Sequence, residues 1–284
     1  MIKSYKVKKS LADTIIYTLL TIMGAIWVFP LFWIVMQSLR GEGGNYVAYI
    51  IPHNFTLKHF IDLFTEKVVF DYPRWFLNTL FVSICSCIIS TFSVLMVSYT
   101  FSRLRFKSRK FFMNFGMILG MFPGFMTMIA IYYLLKLVNL TGTLAALIIC
   151  YSAGASLGYF ISKGFFDTIP RALDEAATID GATKNQIFWK IILPMSKPIV
   201  VYTVLTSFIG PWADFILVRI IMGDKTPNYT VAYGLYTMSN DKNIKKFYFQ
   251  FCSGAVVVAI PITILFLNMQ KYYVEGVTGG AVKG

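Results

Sequence analysis

The sequence predicts an all-α, polytopic membrane protein with six transmembrane helices in one domain, residues 1–284. Two observations predict it. Of the 284 residues, 57% are hydrophobic and only 14% are charged, an apolar share above that of soluble domains. The apolar residues also fall into six runs long enough to cross a bilayer as helices. These runs cover about 14–39, 75–101, 111–135, 143–160, 199–222 and 248–273.

The first run has a longer apolar core than a signal peptide and no small-residue cleavage site, so it is expected to remain as a span. The loop after the second run carries five basic residues and no acidic one: Arg103, Arg105, Lys107, Arg109 and Lys110. Basic loops stay on the cytoplasmic side of a membrane. Six spans then place both termini in the cytoplasm, together with the segment between the fourth and fifth runs.

The third run contains Gly116 and Gly120 at the spacing that permits close packing of membrane helices. The fourth run repeats this pattern with Gly154 and Gly158. Residues 139–142 between them predict a tight turn.

Residues 171–194 form the longest polar-rich segment with helical signals between two apolar runs. Asp174 and Glu175 fall in the first turn of a predicted helix, where the helix dipole favours negative charge. Alanines are strong helix formers with little bulk, so this helix offers a smooth face. Gly181 is expected to end it, because glycine tolerates the left-handed conformation common just past a helix end.

Thr183 and Gln186 have the spacing of a capping box and predict the start of a second helix. Its apolar stripe consists of Ile187, Phe188, Ile191 and Ile192, and Pro194 is expected to stop it. The segment thus predicts a helix–turn–helix on the cytoplasmic side. From pattern alone, a docking element and an ordinary amphipathic connector remain equal interpretations.

The fifth run contains Asp214, and an ionisable residue at membrane depth indicates a functional site. Trp212 and Asp214 are therefore candidate residues of a cavity. The alternative is that the helix emerges from the membrane there, so that Asp214 and Arg219 reach the outer interface. Residues 223–247 predict an external polar loop.

No GxxxxGK[ST] sequence occurs, so the chain has no P-loop to bind nucleotide phosphates. Neither a metal-ligand cluster nor a nucleophile–base pair stands out, and we expect no catalytic residue, cofactor or metal site in this chain. Asp214 is the one acidic residue that falls clearly within a span. Proton-coupled transport needs such groups, so their scarcity favours a permease powered by another protein.

The segment from Glu175 resembles the EAA loop of ABC-importer permeases, in which Glu-Ala-Ala, Gly, Ile and Leu-Pro recur at fixed spacing. Glu175-Ala176-Ala177, Gly181, Ile191 and Leu193-Pro194 fill every position. The resemblance implies the type I ABC importer permease fold and partner ATPases that bind ATP and Mg²⁺. It implies that Glu175, Ala176, Ala177, Asp180 and Gly181 dock on an ATPase, and that Ile191, Leu193 and Pro194 shape the loop.

The tail, residues 270–284, resembles the carbohydrate branch of these permeases, in particular the smaller membrane subunit of the maltose/maltodextrin type. The resemblance implies import of an oligosaccharide across a bacterial cell membrane. The implied partners are a second, dissimilar permease subunit, two ATPase subunits and an external sugar-binding protein that meets residues 223–247. It also implies that the tail reaches between the ATPases through Gly276, Gly279, Gly280 and Lys283.

Three other functions compete with this prediction. A secondary transporter or channel would depend on charges within the spans and need no ATPase. An intramembrane enzyme would need catalytic residues at the membrane face, and no convincing set occurs. An ABC permease for a different solute, such as another oligosaccharide or a glycerol phosphate, would keep the EAA segment and differ in its cavity.

Overall fold

The computed structural model of the chain describes residues 2–42, 49–66, 69–156, 158–240 and 243–281, with side chains described except at 2–8, 155–156 and 273–281. Within these ranges the regular structure is helical and no β-strand forms, so the all-α prediction is confirmed. In chain order the helices are α1 (Ile2–Ser38), α2 (Lys58–Thr65), α3 (Tyr72–Arg103), α4 (Arg109–Gly120), α5 (Gly124–Leu137), α6 (Leu144–Ser156), α7 (Tyr159–Thr168), α8 (Ala172–Ile179), α9 (Lys184–Met195), α10 (Lys197–Ala213), α11 (Ile216–Met222), α12 (Val231–Met238) and α13 (Ile244–Ala281).

Three single helices are long and apolar enough to cross a membrane. They cover Lys9–Ser38 of α1, all of α3, and Ile244–Tyr272 of α13, with 30, 32 and 29 residues. At about 1.5 Å of rise per residue, each exceeds the roughly 30 Å hydrocarbon core of a bilayer. The large apolar side chains of α1 are exposed along most of its length, which suits a lipid surrounding.

Three further apolar stretches are bent helix pairs: α4 with α5, α6 with α7, and α9 with α10. If each bent pair is counted as one span, the described residues contain six candidate membrane spans. The bend between α4 and α5 is 103° and falls at Pro123, which removes a backbone donor and disfavours a helical residue before it. The single straight helix expected over 111–135 is therefore two helices.

One compact unit comprises residues 1–67 and 237–257. In it, the segment after α1 folds back on Arg40, whose side chain is fully buried. The Arg40 guanidinium donates to the carbonyls of Tyr49 at 2.8 Å and Ile50 at 3.1 Å, and His59 Nε2 lies 2.8 Å from the carbonyl of Arg40. These bonds fix α2 beside the end of α1.

The second unit comprises residues 68–236 and 258–284. In its core, α3 packs against α6, α7 and α10. The buried face of α3 carries hydroxyl side chains that allow close approach of neighbouring helices. One of them, Ser98, donates to the carbonyl of Tyr159 at 3.0 Å. The buried hydroxyl residues of α3 are Thr79, Ser83, Ser86, Ser90, Ser98 and Ser102.

Residues 226–236 are fastened to the start of α3, in a region that the sequence predicts to be an external polar loop. The Trp75 indole N–H donates to the carbonyl of Thr226 at 3.2 Å, and the backbone N–H of Val231 donates to Thr79 Oγ1 at 2.8 Å. Helix α12 then buries Val231 and Tyr233. The first half of the predicted loop is therefore part of the packed core.

Replacing Gly234 by alanine is expected to lower the free energy of unfolding by about 1–3 kcal/mol, the usual cost of overpacking a core. A Cβ atom at Gly234 would lie 2.0 Å from Cε3 of Trp75, whose hydrogen bond to Thr226 resists a shift of the ring. The midpoint of thermal unfolding in detergent measures the change. Gly24→Ala in α1 is the control, because a Cβ there meets nothing within 4 Å. An equal midpoint for both variants would contradict this packing.

Candidate coupling surface

Helix α8 has acidic residues in its first turn and a glycine just past its end. Asp174 and Glu175 lie in its first turn, next to the positive end of the helix dipole. Its last turn closes with the N–H of Asp180 donating to the carbonyl of Ala176 at 3.0 Å. Gly181 follows with a φ of +84°, a conformation that glycine adopts at little cost. The predicted end of this helix is confirmed.

Helix α9 starts with the predicted capping box. The N–H of Gln186 donates to Thr183 Oγ1 at 3.3 Å, and the N–H of Thr183 donates to Gln186 Oε1 at 2.8 Å. The helix widens into a π-helical turn at Phe188–Ile192, a feature often found at functional sites. It ends at Met195, one residue beyond Pro194, and the chain turns by 84° into α10.

The two helices rest on an apolar cluster that they share with α3, α7 and α10. Tyr99 of α3 is central to it: its ring centroid lies 4.8 Å from that of Phe188, and its hydroxyl donates to the carbonyl of Lys184 at 3.1 Å. Burying each large apolar side chain is worth about 1.5–3 kcal/mol, so the helix pair is firmly seated. The buried members are Leu95, Tyr99, Phe166, Ile169, Ala177, Ile187, Phe188, Ile192 and Ile199.

The outward face of α8 presents Glu175, Ala176 and Asp180, all exposed. Ala177 lies on the opposite face, is 8% exposed and packs in the apolar cluster. Its methyl group therefore seats the helix, whereas the resemblance implies that it docks on an ATPase. Ile191 and Leu193 are half-buried beside the cluster, and Pro194 is exposed.

Ile179 also belongs to the outward face, although no sequence motif singles it out. This side chain is 86% exposed, the highest exposure among the large hydrophobic side chains of the described residues. Residues three and four apart share one face of a helix, so the spacing from Glu175 and Ala176 carries the signal. We call Glu175, Ala176, Ile179 and Asp180 the coupling surface. It combines two acidic groups with one large apolar side chain.

Arg103 ties α8 to the membrane helices. Its side chain is 5% exposed, and Nη1 lies 3.1 Å from Asp174 Oδ2 in the first turn of α8. Its Nη2 donates to the carbonyls of Phe166 and Ile169, both at 2.8 Å. One guanidinium at the end of α3 therefore holds both the end of α7 and the start of α8. We call this arrangement the Arg103 anchor.

A second set of polar contacts supports the Arg103 anchor. Ser102 Oγ donates to Asp167 Oδ1 at 2.6 Å, and Arg171 Nη2 donates to the carbonyl of Ser102 at 3.4 Å. Asp167 also pairs with Lys163 on the same helix. The ends of α3 and α7 and the start of α8 are thus cross-linked by charge-assisted hydrogen bonds, which are stronger than neutral ones.

The two candidate cavity residues have structural roles in the described chain. Trp212 is 3% exposed and packs against the rings of Phe76 and Phe208. Asp214 breaks the helix between α10 and α11: its Oδ1 accepts from the N–H of Leu217 at 3.0 Å, and its Oδ2 accepts from the Tyr151 hydroxyl at 3.2 Å. Neither residue is among those that line the cavity bordered by α3, α6, α7 and α10, and a role in solute passage stays a prediction.

The predicted tail contacts fall at the end of the described chain. The α13 backbone continues as helix through Gly276, Gly279 and Gly280, whereas Lys283 lies outside the described residues. Among the described side chains, no group of three or more His, Cys, Asp or Glu is placed to hold a metal ion.

The family described as "Binding-protein-dependent transport system inner membrane component" matches residues 89–278. The chain is 35% identical to the galactooligosaccharides transport system permease protein GanQ of Bacillus subtilis, and the match covers the full length of both chains. It is 34% identical, again over the whole of both chains, to the maltodextrin transport system permease protein MalD of Streptococcus pneumoniae.

A solved structure shares the fold. It is titled as a bacterial ABC transporter involved in the import of the acidic polysaccharide alginate, and the match covers 93% of this chain and 96% of that chain. The TM-score is 0.77 at 20% sequence identity. The predicted permease fold is therefore confirmed.

Proposed function

Because the chain belongs to the family of binding-protein-dependent transport system inner membrane components, we propose that it is one of two permease subunits of an oligosaccharide importer. In this proposal separate ATPase subunits bind and hydrolyse ATP. The chain itself has no P-loop sequence and contributes the membrane path and the contact that receives the energy.

The observation that carries the proposal is the coupling surface. Glu175 and Ile179 project from a short helix that an apolar cluster and a buried arginine hold rigidly against the membrane helices. An exposed apolar side chain beside exposed carboxylates is typical of a protein-binding surface. Since α8 is held at its start by Arg103 and along its inner face by Ala177, a force applied to it reaches α3 and α7 directly.

We propose that the coupling surface faces the cytoplasm. The end of α3, the start of α4 and the loop between them carry the five basic residues named above and no acidic one, which favours the cytoplasmic side. Arg103, the last residue of α3, belongs to this basic segment and contacts Asp174 of α8, so the coupling surface lies on the same side of the membrane. That is the side where ATP and the proposed ATPases are found.

For the solute we propose a neutral oligosaccharide of the maltodextrin type. Support comes from the tail resemblance and from the maltodextrin permease that is 34% identical over the whole chain. The galactooligosaccharide permease is 35% identical, so β-galactosyl oligosaccharides belong in the same test. The proposed external binding protein would present the sugar to this chain and its partner permease.

Co-purification tests the proposal. The tagged chain is extracted in mild detergent and everything that co-elutes is identified by mass spectrometry. We expect a second permease and an ATPase, and ATP-dependent uptake of maltodextrin or galactooligosaccharide once the complex and its binding protein are placed in vesicles. A chain that elutes alone or as a homodimer, and transports without ATP, would instead be a secondary transporter.

A further inference from the structure

A cavity of about 260 Å³ lies within the unit of residues 68–236, bordered by α3, α6, α7 and α10. It is not part of the coupling surface. Three glycines leave the space open: Gly154 and Gly158 on one side and Gly210 on the other. The volume is near the lower end of small-molecule sites, which span about 300–1,000 Å³, so the cavity fits one ring of a sugar rather than a chain.

The cavity lies along the middle of α10, a helix that forms a candidate membrane span together with α9. Helix α10 starts at Lys197, and the lining residues Thr203 and Gly210 follow about 9 Å and 20 Å farther along its axis, at 1.5 Å of rise per residue. The hydrocarbon core is about 30 Å thick. Secondary transporters place their substrate sites between helices near the bilayer midplane.

Hydroxyl groups dominate the polar lining. They belong to Tyr151, Ser162, Tyr202, Thr203, Thr206 and Ser207. None of the described lining residues is charged, and the residues between Gly154 and Gly158 in the sequence are Ala, Ser and Leu. The lining therefore offers hydrogen bonds without net charge.

Several of these hydroxyl groups donate their hydrogen to an oxygen atom of the protein. Tyr151 donates to Asp214 Oδ2 at 3.2 Å, Thr203 to the carbonyl of Ile199 at 2.8 Å, and Thr206 to the carbonyl of Tyr202 at 2.9 Å. A hydroxyl oxygen retains acceptor lone pairs after donating. The polar part of the lining therefore offers acceptors, and a ligand that carries hydroxyl donors, as a sugar ring does, matches it.

The absence of a basic residue from the described lining also disfavours anionic solutes. A phosphate or carboxylate would enter a low-dielectric space with no arginine or lysine among the described lining residues, and an unpaired buried anion is strongly unfavourable. We propose that this cavity is a subsite that holds one ring of a neutral oligosaccharide during passage, supplied by this chain. The proposal rests on the proposed import function and adds a sugar contact and a preference for uncharged sugars.

Filling the cavity tests the subsite. Gly154→Leu and Gly210→Leu place a side chain where a Cβ atom meets nothing within 4 Å, so the helices need not move. We expect the KM for maltodextrin uptake by the vesicle-reconstituted complex to rise about tenfold or more, since one misplaced methylene costs about 10–200-fold in a fitted pocket. Gly164→Leu is the matched control: it is helical, equally open and outside the cavity, and we expect a wild-type KM.

Removing one acceptor gives a second test. Thr206→Val keeps the side-chain volume and is expected to raise the KM about two- to tenfold, the worth of one hydrogen bond. Thr21→Val is its control, because Thr21 on α1 makes the same bond to the carbonyl four residues earlier, Tyr17, at 2.8 Å. Equal effects of the two variants would assign the change to helix stability and overturn the subsite.

The remaining outcomes separate the two proposals. A wild-type complex that imports no neutral oligosaccharide overturns the import function itself. Sugar import by the wild type, with unchanged KM in both filled variants, overturns only the subsite. Loss of the second permease from the purified Gly154→Leu and Gly210→Leu complexes would make the cavity a helix-packing groove, as small residues often are, and would also overturn it. Equal uptake of a phosphorylated sugar would contradict the charge argument.

Discussion

Glu175→Lys is expected to leave the chain inserted in the membrane and to abolish ATP-driven uptake. Glu175 is exposed on α8, so the substitution does not disturb the apolar cluster beneath. In the proposed complex this carboxylate is buried against an ATPase. Losing one member of a buried charge pair costs about 2–5 kcal/mol, and lysine adds repulsion. That corresponds to about 30-fold or more in docking affinity. Co-purified ATPase and uptake into vesicles measure the two consequences.

Two further variants sharpen this experiment. Glu175→Gln removes the charge at constant shape, and we expect an intermediate loss of ATPase binding. Glu66→Lys is the matched control, because Glu66 is also exposed and follows α2 rather than belonging to α8. Wild-type ATPase binding and uptake in Glu175→Lys would show that α8 is not the docking element. Equal losses in Glu66→Lys would point to a general effect of added charge.

The sequence predicts the end of α8 and the start of α9 from local signals. The capping box of Thr183 and Gln186 and the glycine stop at Gly181 depend on residues within four positions, and both are present. The inward position of Ala177 depends on the apolar cluster, whose other members come from α3, α7, α9 and α10, and no local pattern encodes it. The exposure of Ile179 follows from helical spacing once α8 is known.

The spans show the same division between local and distant causes. Apolar length alone predicted α1, α3 and α13 as membrane helices. The bend at Pro123 was present in the sequence as Pro-Gly, and its 103° angle shows that a proline can divide an apolar run. Helix α12 was missed because its eight residues are too few to signal a span. Its burial depends on contact between Gly234 and Trp75, which are distant in sequence.

Arg103→Met is expected to uncouple ATP hydrolysis from sugar import. Its guanidinium reaches carbonyls 63 and 66 positions away as well as Asp174. Methionine keeps an apolar stem but leaves the two carbonyls and the largely buried carboxylate without this donor. Breaking a buried ion pair costs about 3–5 kcal/mol. The apolar cluster still seats α8, so we expect the complex to assemble and hydrolyse ATP. Force on α8 would then reach α3 and α7 poorly, and sugar imported per ATP would fall.

Asp174→Asn separates the parts of the Arg103 anchor. Arg103 retains its two carbonyl bonds in that variant, so we expect a smaller fall in the ratio of sugar to ATP than in Arg103→Met. An equal or larger fall would mean that the charge pair alone transmits the motion. Arg105→Met is the control, since Arg105 is exposed two residues beyond the end of α3 and should keep the wild-type ratio. If Arg103→Met also keeps it, the anchor stabilises α8 without transmitting force, and the apolar cluster around Tyr99 and Phe188 is the remaining route from α8 to α3.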